Sequence, residues 1–146
     1  MLYDHVLFEA LHGRMIFETG VVKAMLVGDG YKPDSTHTTR ADVLAFEVTG
    51  DGYEAGGVEV ECETRQDKAV TSMWVEPVRF PNVTIKGAKH MVLYDWSATV
   101  SEDTDKDNAP KQPLIGCVTL KGTKDVAGKT LKVTIPNNTL SSIKNL

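Results

Sequence analysis

The amino-acid sequence predicts a mainly β protein, an antiparallel β-sandwich with one short N-terminal helix. Short apolar or alternating runs recur along the 146 residues, and glycine or proline bounds most of them. Only one segment, near the N-terminus, places its apolar residues at helical spacing. With 41% hydrophobic and 25% charged residues, the chain has the composition of a globular protein, and its length suits a single domain over residues 1–146.

The first half of the chain contains the predicted helix and the first strand. The helix is expected over His5–Met15, and the nearly continuous apolar run Val21–Val27 is expected to form a buried strand. Polar residues then predict a surface loop over Tyr31–Asp42. One helical turn is expected over Thr39–Leu44. The apolar residues at helical spacing in the first segment are Val6, Leu7, Ala10, Leu11 and Met15.

The remaining strands are separated by turns and by one long polar segment. Two glycines in Lys121–Lys129 predict a hairpin loop there. The charged segment at about 97–112 predicts a mobile acidic loop. Residues 137–146 are expected to form either a last edge strand or an extended arm that packs on a neighbouring subunit. The further strands are predicted at Val58–Cys62, Ala69–Val75, Val83–Ile85, Ala88–Trp96, Leu114–Leu120 and Leu131–Ile135.

The segment Phe46–Gly57, FEVTGDGYEAGG, is the most informative part of the chain. It joins the end of one extended segment to the start of the alternating run VEVEC through a turn rich in glycine. Glycine adopts positive φ angles at little cost, so this composition predicts tight structural corners. The structural turn residues are predicted to be Gly50, Gly52, Tyr53, Gly56 and Gly57.

Charge and cysteine content exclude several classes of protein. The net charge of −4 gives no case for nucleic-acid binding, and no apolar run approaches the length of a membrane span. The N-terminus lacks the basic region of a signal peptide. Cys62 and Cys117 are expected to be buried free thiols, since nothing indicates an oxidising compartment.

No motif predicts a catalytic residue, a metal site or a cofactor. Gly122–Thr130, GTKDVAGKT, has one residue too many for a phosphate-binding loop. Asp103, Asp105 and Asp107 have the spacing that opens a calcium loop, but the glycine and glutamate that such a loop also needs are missing. We therefore expect no built calcium site there, although weak binding of a divalent ion stays open. His37 is expected to pin its loop by a hydrogen bond rather than to act as a base.

The sequence offers some candidates for contact with other proteins. Trp96 lies beside the acidic segment, and tryptophan is enriched at interface hot spots. Charge is uneven as well, because lysine dominates from Lys111 onward, whereas glutamate and aspartate dominate the glycine turn and the segment after it. Self-association between basic and acidic faces is one use for such polarity. The other candidate interface residues are Leu140, Ile143 and Leu146.

The order of several motifs resembles a family of small tailed-bacteriophage virion proteins. The matching residues include the EV-G-GY-AGG block of the glycine turn, the segment Tyr31–Asp34, the Thr36-His37 pair and Asp42. Tyr94-Asp95 and the late strand residues Pro113–Gly116 follow in the same order. Cys117 departs from the pattern, since an aromatic residue is usual there, and the acidic segment is longer than the typical connection.

The resemblance implies a non-enzymatic virion structural protein that is made in the bacterial host cytoplasm. An auxiliary head protein that decorates or cements the capsid is the first hypothesis. A tail or head–tail junction component is the second, and a host-surface glycan-binding module is the third. The implied partners are other virion proteins, either the major capsid protein or tail and neck proteins, with the chain as a homo-oligomer or bound to the lattice. Neither nucleic acid nor a membrane is an expected partner.

Overall fold

Among the residues that the structure describes, two antiparallel sheets and one short helix make up the fold, which confirms the predicted fold class. The computed structural model describes residues 1–11, 21–68, 70–97, 112–136 and 139–144. The predicted acidic loop lies almost wholly outside these residues. The elements are α1 (Val6–Leu11), β1 (Val22–Gly28), β2 (Gly50–Asp51), β3 (Val58–Val60), β4 (Cys62–Asp67), β5 (Val70–Val75), β6 (Val78–Asp95), β7 (Leu114–Val133) and β8 (Thr139–Lys144), and two 3-10 turns cover Arg40–Asp42 and Leu44–Phe46.

Strand β6 is the centre of the larger sheet. It spans 18 residues and pairs with β7 along one side. Along its other side it pairs with β2 and then with β1, and β3 pairs with the far side of β1. The sheet therefore has β7 at one edge and β3 at the opposite edge. Residues 90–95 of β6 are all buried, because both faces of the sheet are covered there.

Strands β6 and β7 are longer than the sequence predicted. The strand predicted over Val83–Ile85 lies within β6, and so does the strand predicted over Ala88–Trp96 except for its last residue. The hairpin predicted over Lys121–Lys129 is wrong, because β7 runs through that segment without reversing. Its glycines Gly122 and Gly128 have φ angles of 70° and 63° and lie where the pairing register with β6 shifts. They therefore form β-bulges, which bend a strand instead of turning it back.

The run predicted as one strand over Val58–Cys62 is divided between the two sheets. Its first part, β3, pairs with β1 in the larger sheet, whereas β4 begins at Cys62 and pairs with β5. Between them, the Glu61 carbonyl accepts a hydrogen bond of 3.0 Å from the Glu76 amide, where the chain returns to the larger sheet. Glu59 therefore lies in the larger sheet and Glu63 in the smaller one.

The smaller sheet has the strand order β4, β5, β8. Strand β8 pairs with β5, so within the described residues the C-terminal segment forms the edge strand that the sequence offered as an alternative to an arm. A Cβ atom on Gly116 of β7 would lie 2.6 Å from Leu140 Cδ2, so β8 packs closely on the larger sheet. The buried hydrophobic residues of both sheets form one continuous cluster.

The helix lies where the sequence predicted it, but the prediction of which side chains it buries was wrong. Helix α1 ends at Leu11 in the described part of the chain, and Val6 is buried in the core. Leu7 and Leu11 are 54% and 77% exposed, whereas the helical spacing indicated that both would be buried. Met15 lies outside the described residues. Both cysteines are free thiols, as predicted, with Cys117 buried and Cys62 half-buried.

A chain of hydrogen bonds ties the loop after β1 to the N-terminal segment. The hydroxyls of Tyr3 and Tyr31 lie 2.8 Å apart and are buried. The Tyr31 hydroxyl also lies 3.1 Å from His37 Nδ1. The expected loop-pinning hydrogen bond of His37 is thereby confirmed. Because the tyrosine hydroxyls are shielded from water, each loses a buried hydrogen-bond partner when the other is removed, and Tyr31 then retains the His37 ring alone.

We expect Tyr3→Phe to lower the free energy of unfolding by about 1–3 kcal/mol, because the Tyr31 hydroxyl loses a buried partner. Adding Tyr31→Phe removes both hydroxyls, so the double variant should be less destabilised than the sum of the two single variants. Urea denaturation of the four proteins in this double-mutant cycle checks the expectation. Strictly additive effects would contradict a direct hydrogen bond between the two rings.

Candidate functional site

The glycine turn, defined as Phe46–Gly57, bridges β1 and β6. It enters from the second 3-10 turn, and the Val48 amide donates a hydrogen bond of 3.0 Å to the Leu26 carbonyl of β1. It then forms β2, where Gly50 lies opposite Ile85 of β6. It ends at Gly57, from which β3 returns along β1. The turn is therefore part of the larger sheet and covers its end.

Two glycines allow the turn to lie directly against neighbouring backbone. A Cβ atom on Gly50 would lie 1.9 Å from the Thr84 carbonyl oxygen. A Cβ atom on Gly57 would lie 1.8 Å from the Ala24 carbonyl oxygen, and Gly57 has a φ of +84°. No residue with a side chain fits at either position without moving a strand. Gly52, with a φ of +78°, approaches the Asn82 carbonyl in a similar way.

Tyr53 and Glu47 hold the turn from inside. The Tyr53 hydroxyl accepts a hydrogen bond of 3.0 Å from the Leu26 amide and donates one of 2.9 Å to Glu47 Oε1. The same carboxylate oxygen accepts a hydrogen bond of 2.7 Å from the Gly56 amide. Burial raises the pKa of the Tyr53 hydroxyl, which therefore stays protonated as a donor. The sequence indicated Tyr53 but gave no role to Glu47, although it is the first residue of the EV-G-GY-AGG block.

An aromatic and cationic surface adjoins the turn, and we call it the Trp96 patch, made of Lys23, Arg40, Gly56, Tyr94 and Trp96. The Tyr94 hydroxyl donates a hydrogen bond to the Gly56 carbonyl, and the Tyr94 ring centroid lies 6.3 Å from that of Trp96. Lys23 Nζ lies 3.8 Å from the Trp96 ring centroid. Arg40 Cζ lies 5.3 Å from the Tyr94 centroid and 5.5 Å from the Trp96 centroid.

The composition of the Trp96 patch suits contact with another molecule. Trp96 is 41% exposed, and Lys23 and Arg40 are half-buried beside it. Cation–π contacts of this kind hold long basic side chains in place, so the patch is largely preorganised. It offers an apolar ring together with two cations, which suits a partner surface with apolar and carboxylate groups. The sequence pointed to Trp96, but nothing in it linked Trp96 to Arg40, which is 56 positions away.

Of the other candidate interface residues, Leu140 has a described side chain, and it lies away from this patch. Leu140 is 8% exposed and belongs to the core. Ile143 lies in β8, where its backbone pairs with Thr71. Leu146 lies outside the described residues, so its assignment stays a prediction.

Polar side chains elsewhere in the described part serve the fold. His5 Nε2 lies 2.8 Å from the Leu114 carbonyl oxygen, and His90 Nδ1 lies 3.0 Å from Thr119 Oγ1. Asp42 Oδ2 accepts hydrogen bonds from the amides of Thr38 and Thr39, which caps the first 3-10 turn. In the described ranges, no three histidine, cysteine or acidic side chains are grouped closely enough to hold a metal ion. The aspartates with calcium-loop spacing lie outside those ranges.

A groove of about 560 Å³ lies on the other side of the glycine turn. Glu47 lines it, but its carboxylate oxygen is bonded within the turn. The remaining polar side chains of the lining are Asp29, Thr49, Thr84 and Lys86.

Comparisons with known proteins add no relative. No protein-family model, curated protein or solved structure matches this chain. The phage resemblance therefore rests on the residues quoted for it. Across the described segments, no helix is long and apolar enough to span a membrane.

We expect Gly57→Ala to destabilise the protein by more than about 3 kcal/mol, because the new methyl group collides with the Ala24 carbonyl at a positive φ. Gly87→Ala is the matched control: its φ is +76°, but no atom lies within 4 Å of the new Cβ. It should cost only about 1–2 kcal/mol for the backbone conformation. Thermal and urea unfolding measure both. Equal losses would contradict the close approach of the turn to β1.

Stability should fall at alkaline pH because buried groups keep their protons. Burial raises the pKa of the Tyr94 hydroxyl to about 12 and that of the Cys117 thiol to about 11. The unfolded chain releases these protons near pH 10 and pH 9, so above pH 9 the unfolded state binds fewer protons than the folded state. The free energy of unfolding should therefore decrease as pH rises, by on the order of 1.4 kcal/mol per pH unit for each fully buried group.

Urea denaturation at pH 7, 9, 10 and 11 tests this dependence. Cys117→Ala should reduce the loss between pH 9 and pH 11, because it removes one of the groups that titrate there. An unfolding midpoint that stays constant up to pH 11 would contradict the burial of these side chains.

Proposed function

We propose that this chain is a non-enzymatic structural protein of a tailed-phage virion, and specifically an auxiliary head protein that decorates the capsid surface. The observation that carries the proposal is the Trp96 patch, an exposed and preorganised contact surface. It adjoins the sequence block on which the phage resemblance rests. That block is itself occupied with internal packing and hydrogen bonds, which suits a scaffold better than a reaction site.

The use of the polar groups supports a structural role. Glu47 and Tyr53 are bonded inside the glycine turn, and Asp42 caps a 3-10 turn. The His37 ring is bonded to a core tyrosine. A catalytic group must instead be free to face a substrate in a plausible pose. His37, Asp42 and Glu47 are therefore engaged in holding loops and strands.

A decoration protein would act by mass action. If the Trp96 patch binds a surface that exists only on the assembled shell, each bound copy stabilises that shell relative to its free subunits. An aromatic anchor with two flanking cations gives such a contact both apolar area and charge specificity. The rigid sheet behind the patch limits the entropy lost on binding.

The glycan-binding hypothesis fits the Trp96 patch less well. Sugar rings stack on an open aromatic face, but the Lys23 ammonium lies 3.8 Å from the Trp96 ring centroid. A sugar would have to displace Lys23 from that face. A tail or head–tail junction role uses the same kind of surface, and the location of the protein in the virion separates it from a head role.

We expect the protein to copurify with DNA-filled heads that lack tails. Trp96→Ala should lower its copy number on these heads at least tenfold, because the contact loses its anchor. Phe46→Ala is the control, since Phe46 is an aromatic residue of similar exposure, 39%, outside the patch. Quantitative gel analysis of purified heads measures both variants.

Other distributions would contradict the head assignment. Recovery only with tails would favour the tail or junction role. Saturable binding of the isolated protein to host envelope material, without binding to heads, would favour the glycan-binding module. Equal loss of the Trp96 and Phe46 variants from heads would show that the Trp96 patch is not the contact.

A further inference from the structure

The two cationic side chains of the Trp96 patch have no anionic partner in the described part of the chain. Lys23 and Arg40 form no ion pair and no side-chain hydrogen bond with any residue that the structure describes. The Nε atom of Arg40 is buried and lacks a hydrogen-bond partner. A buried donor without a partner costs about 1–3 kcal/mol, and arginine commonly pairs with a carboxylate or a phosphate. The fold therefore uses these two cations only in cation–π contacts.

The aromatic rings of the patch hold both cations in place. Lys23 Nζ and Arg40 Cζ lie 3.8 Å and 5.5 Å from the Trp96 ring centroid. A Cβ atom on Gly56 would lie 3.5 Å from Arg40 Nη2 and 3.7 Å from Trp96 Cζ3, so these two side chains meet above the glycine. Because Arg40 is half-buried beside an exposed indole ring, its guanidinium is partly desolvated. Charge-assisted hydrogen bonds are stronger at such a position than in open solvent.

The two carboxylates nearest to the patch do not neutralise it. Glu59 of β3 lies directly opposite Lys23 of β1, yet the two side chains form no ion pair, because the Lys23 ammonium is placed over the Trp96 ring. Glu47 Oε1 accepts two hydrogen bonds within the glycine turn, and it forms no ion pair with Arg40. A carboxylate that binds Arg40 must therefore come from outside the described residues.

An acidic side chain suits this site better than a chain of phosphates. A planar guanidinium binds a carboxylate through two parallel hydrogen bonds, and the Lys23 ammonium adds a second positive charge beside it. The exposed face and edge of Trp96 offer apolar area to the residues that flank such a carboxylate. Nucleic-acid binding instead needs a series of phosphate contacts along a basic surface, whereas this patch has two cations in a chain of net charge −4.

We propose that the Trp96 patch is an anion-binding site that receives an aspartate or glutamate side chain of a partner protein. Arg40 is the main binding residue and orients the carboxylate, Lys23 adds charge, and Trp96 supplies the apolar contact. The inference rests on the proposed function, since it names the chemical group that the contact surface of the chain recognises. Glu59 is exposed opposite Lys23 and opposes the incoming negative charge.

Titration of the purified protein with poly-L-glutamate tests the site without any virion. The fluorescence of Trp96 reports binding in a Trp74→Phe background, which removes the other tryptophan. We expect saturable binding that weakens between 0.01 M and 0.15 M salt, where the screening length falls from about 30 Å to about 8 Å. Arg40→Gln and Lys23→Gln should each lower the affinity at least fivefold, whereas Glu59→Gln should raise it.

Matched variants separate the site from net charge and from misfolding. Arg79→Gln removes the same charge at an exposed position of β6 outside the patch, so its affinity should be unchanged. Arg40→Lys keeps the charge but loses the planar fork, so its affinity should lie between those of the parent and Arg40→Gln. Urea unfolding checks that each variant is folded. No saturable binding, equal weakening by the Arg40 and Arg79 variants, or tighter binding of oligothymidylate than of poly-L-glutamate would overturn the proposal.

Purified DNA-filled heads distinguish a failure of this inference from a failure of the proposed function. Converting the carboxylates of the heads to amides with a carbodiimide and glycinamide should lower the number of bound copies at least tenfold, whereas acetylating the lysines of the heads should not. Binding to heads that survives the loss of their carboxylates would overturn the inference and leave the proposed function intact. Binding of poly-L-glutamate without binding to untreated heads would contradict the proposed function and support the anion site.

Discussion

The close approach of the glycine turn to β1 and β6 is the constraint on which the rest of the structure depends. At Gly57 the turn lies so near the Ala24 carbonyl that no Cβ atom fits between them. At Gly50 the same is true of the Thr84 carbonyl. Backbone contact of this kind holds the turn in one position, and a buried tyrosine hydroxyl and a carboxylate complete its hydrogen bonds. The turn is consequently a fixed part of the sheet.

This constraint also organises the surface. Because Gly56 is held in place, its carbonyl accepts the Tyr94 hydroxyl, and Tyr94 lies beneath Trp96 and Arg40. The Trp96 patch is therefore built on rigid elements, which makes a contact surface specific and reduces the entropy lost on binding.

Local sequence patterns predicted the structure correctly where the conformation of a segment depends mainly on its own residues. The short apolar run of β1 forms the buried strand that its pattern predicted. The glycine content of the segment Phe46–Gly57 likewise predicted a tight turn. The patterns gave wrong predictions where the conformation of a segment depends on pairing with a strand that is distant in sequence. A glycine at a bulge and a glycine at a hairpin have the same composition, so Gly122 and Gly128 indicated a reversal. Only the pairing of β7 with β6 shows that the strand continues.

The candidate site also depends on residues that are distant in sequence, so local patterns predicted only part of it. Trp96 could be selected from its residue type, but the patch also needs Lys23 from β1 and Arg40 from a 3-10 turn. These three residues come together only after the sheet has formed. Likewise, alternation over Val58–Cys62 gave no sign that the chain changes sheets at Glu61, because the switch is set by the Glu76 amide that bonds there.

Native-state hydrogen exchange of the glycine-turn amides tests the central claim most directly. The amides of Leu26, Val48 and Gly56 are bonded by the turn or within it. If the turn is a fixed part of the sheet, their opening free energies should equal those of the β6 core amides within about 1 kcal/mol, because all exchange through global unfolding. Opening free energies several kcal/mol lower than those of β6 would contradict the account. They would make the turn a mobile segment, as binding loops and active-site lids are.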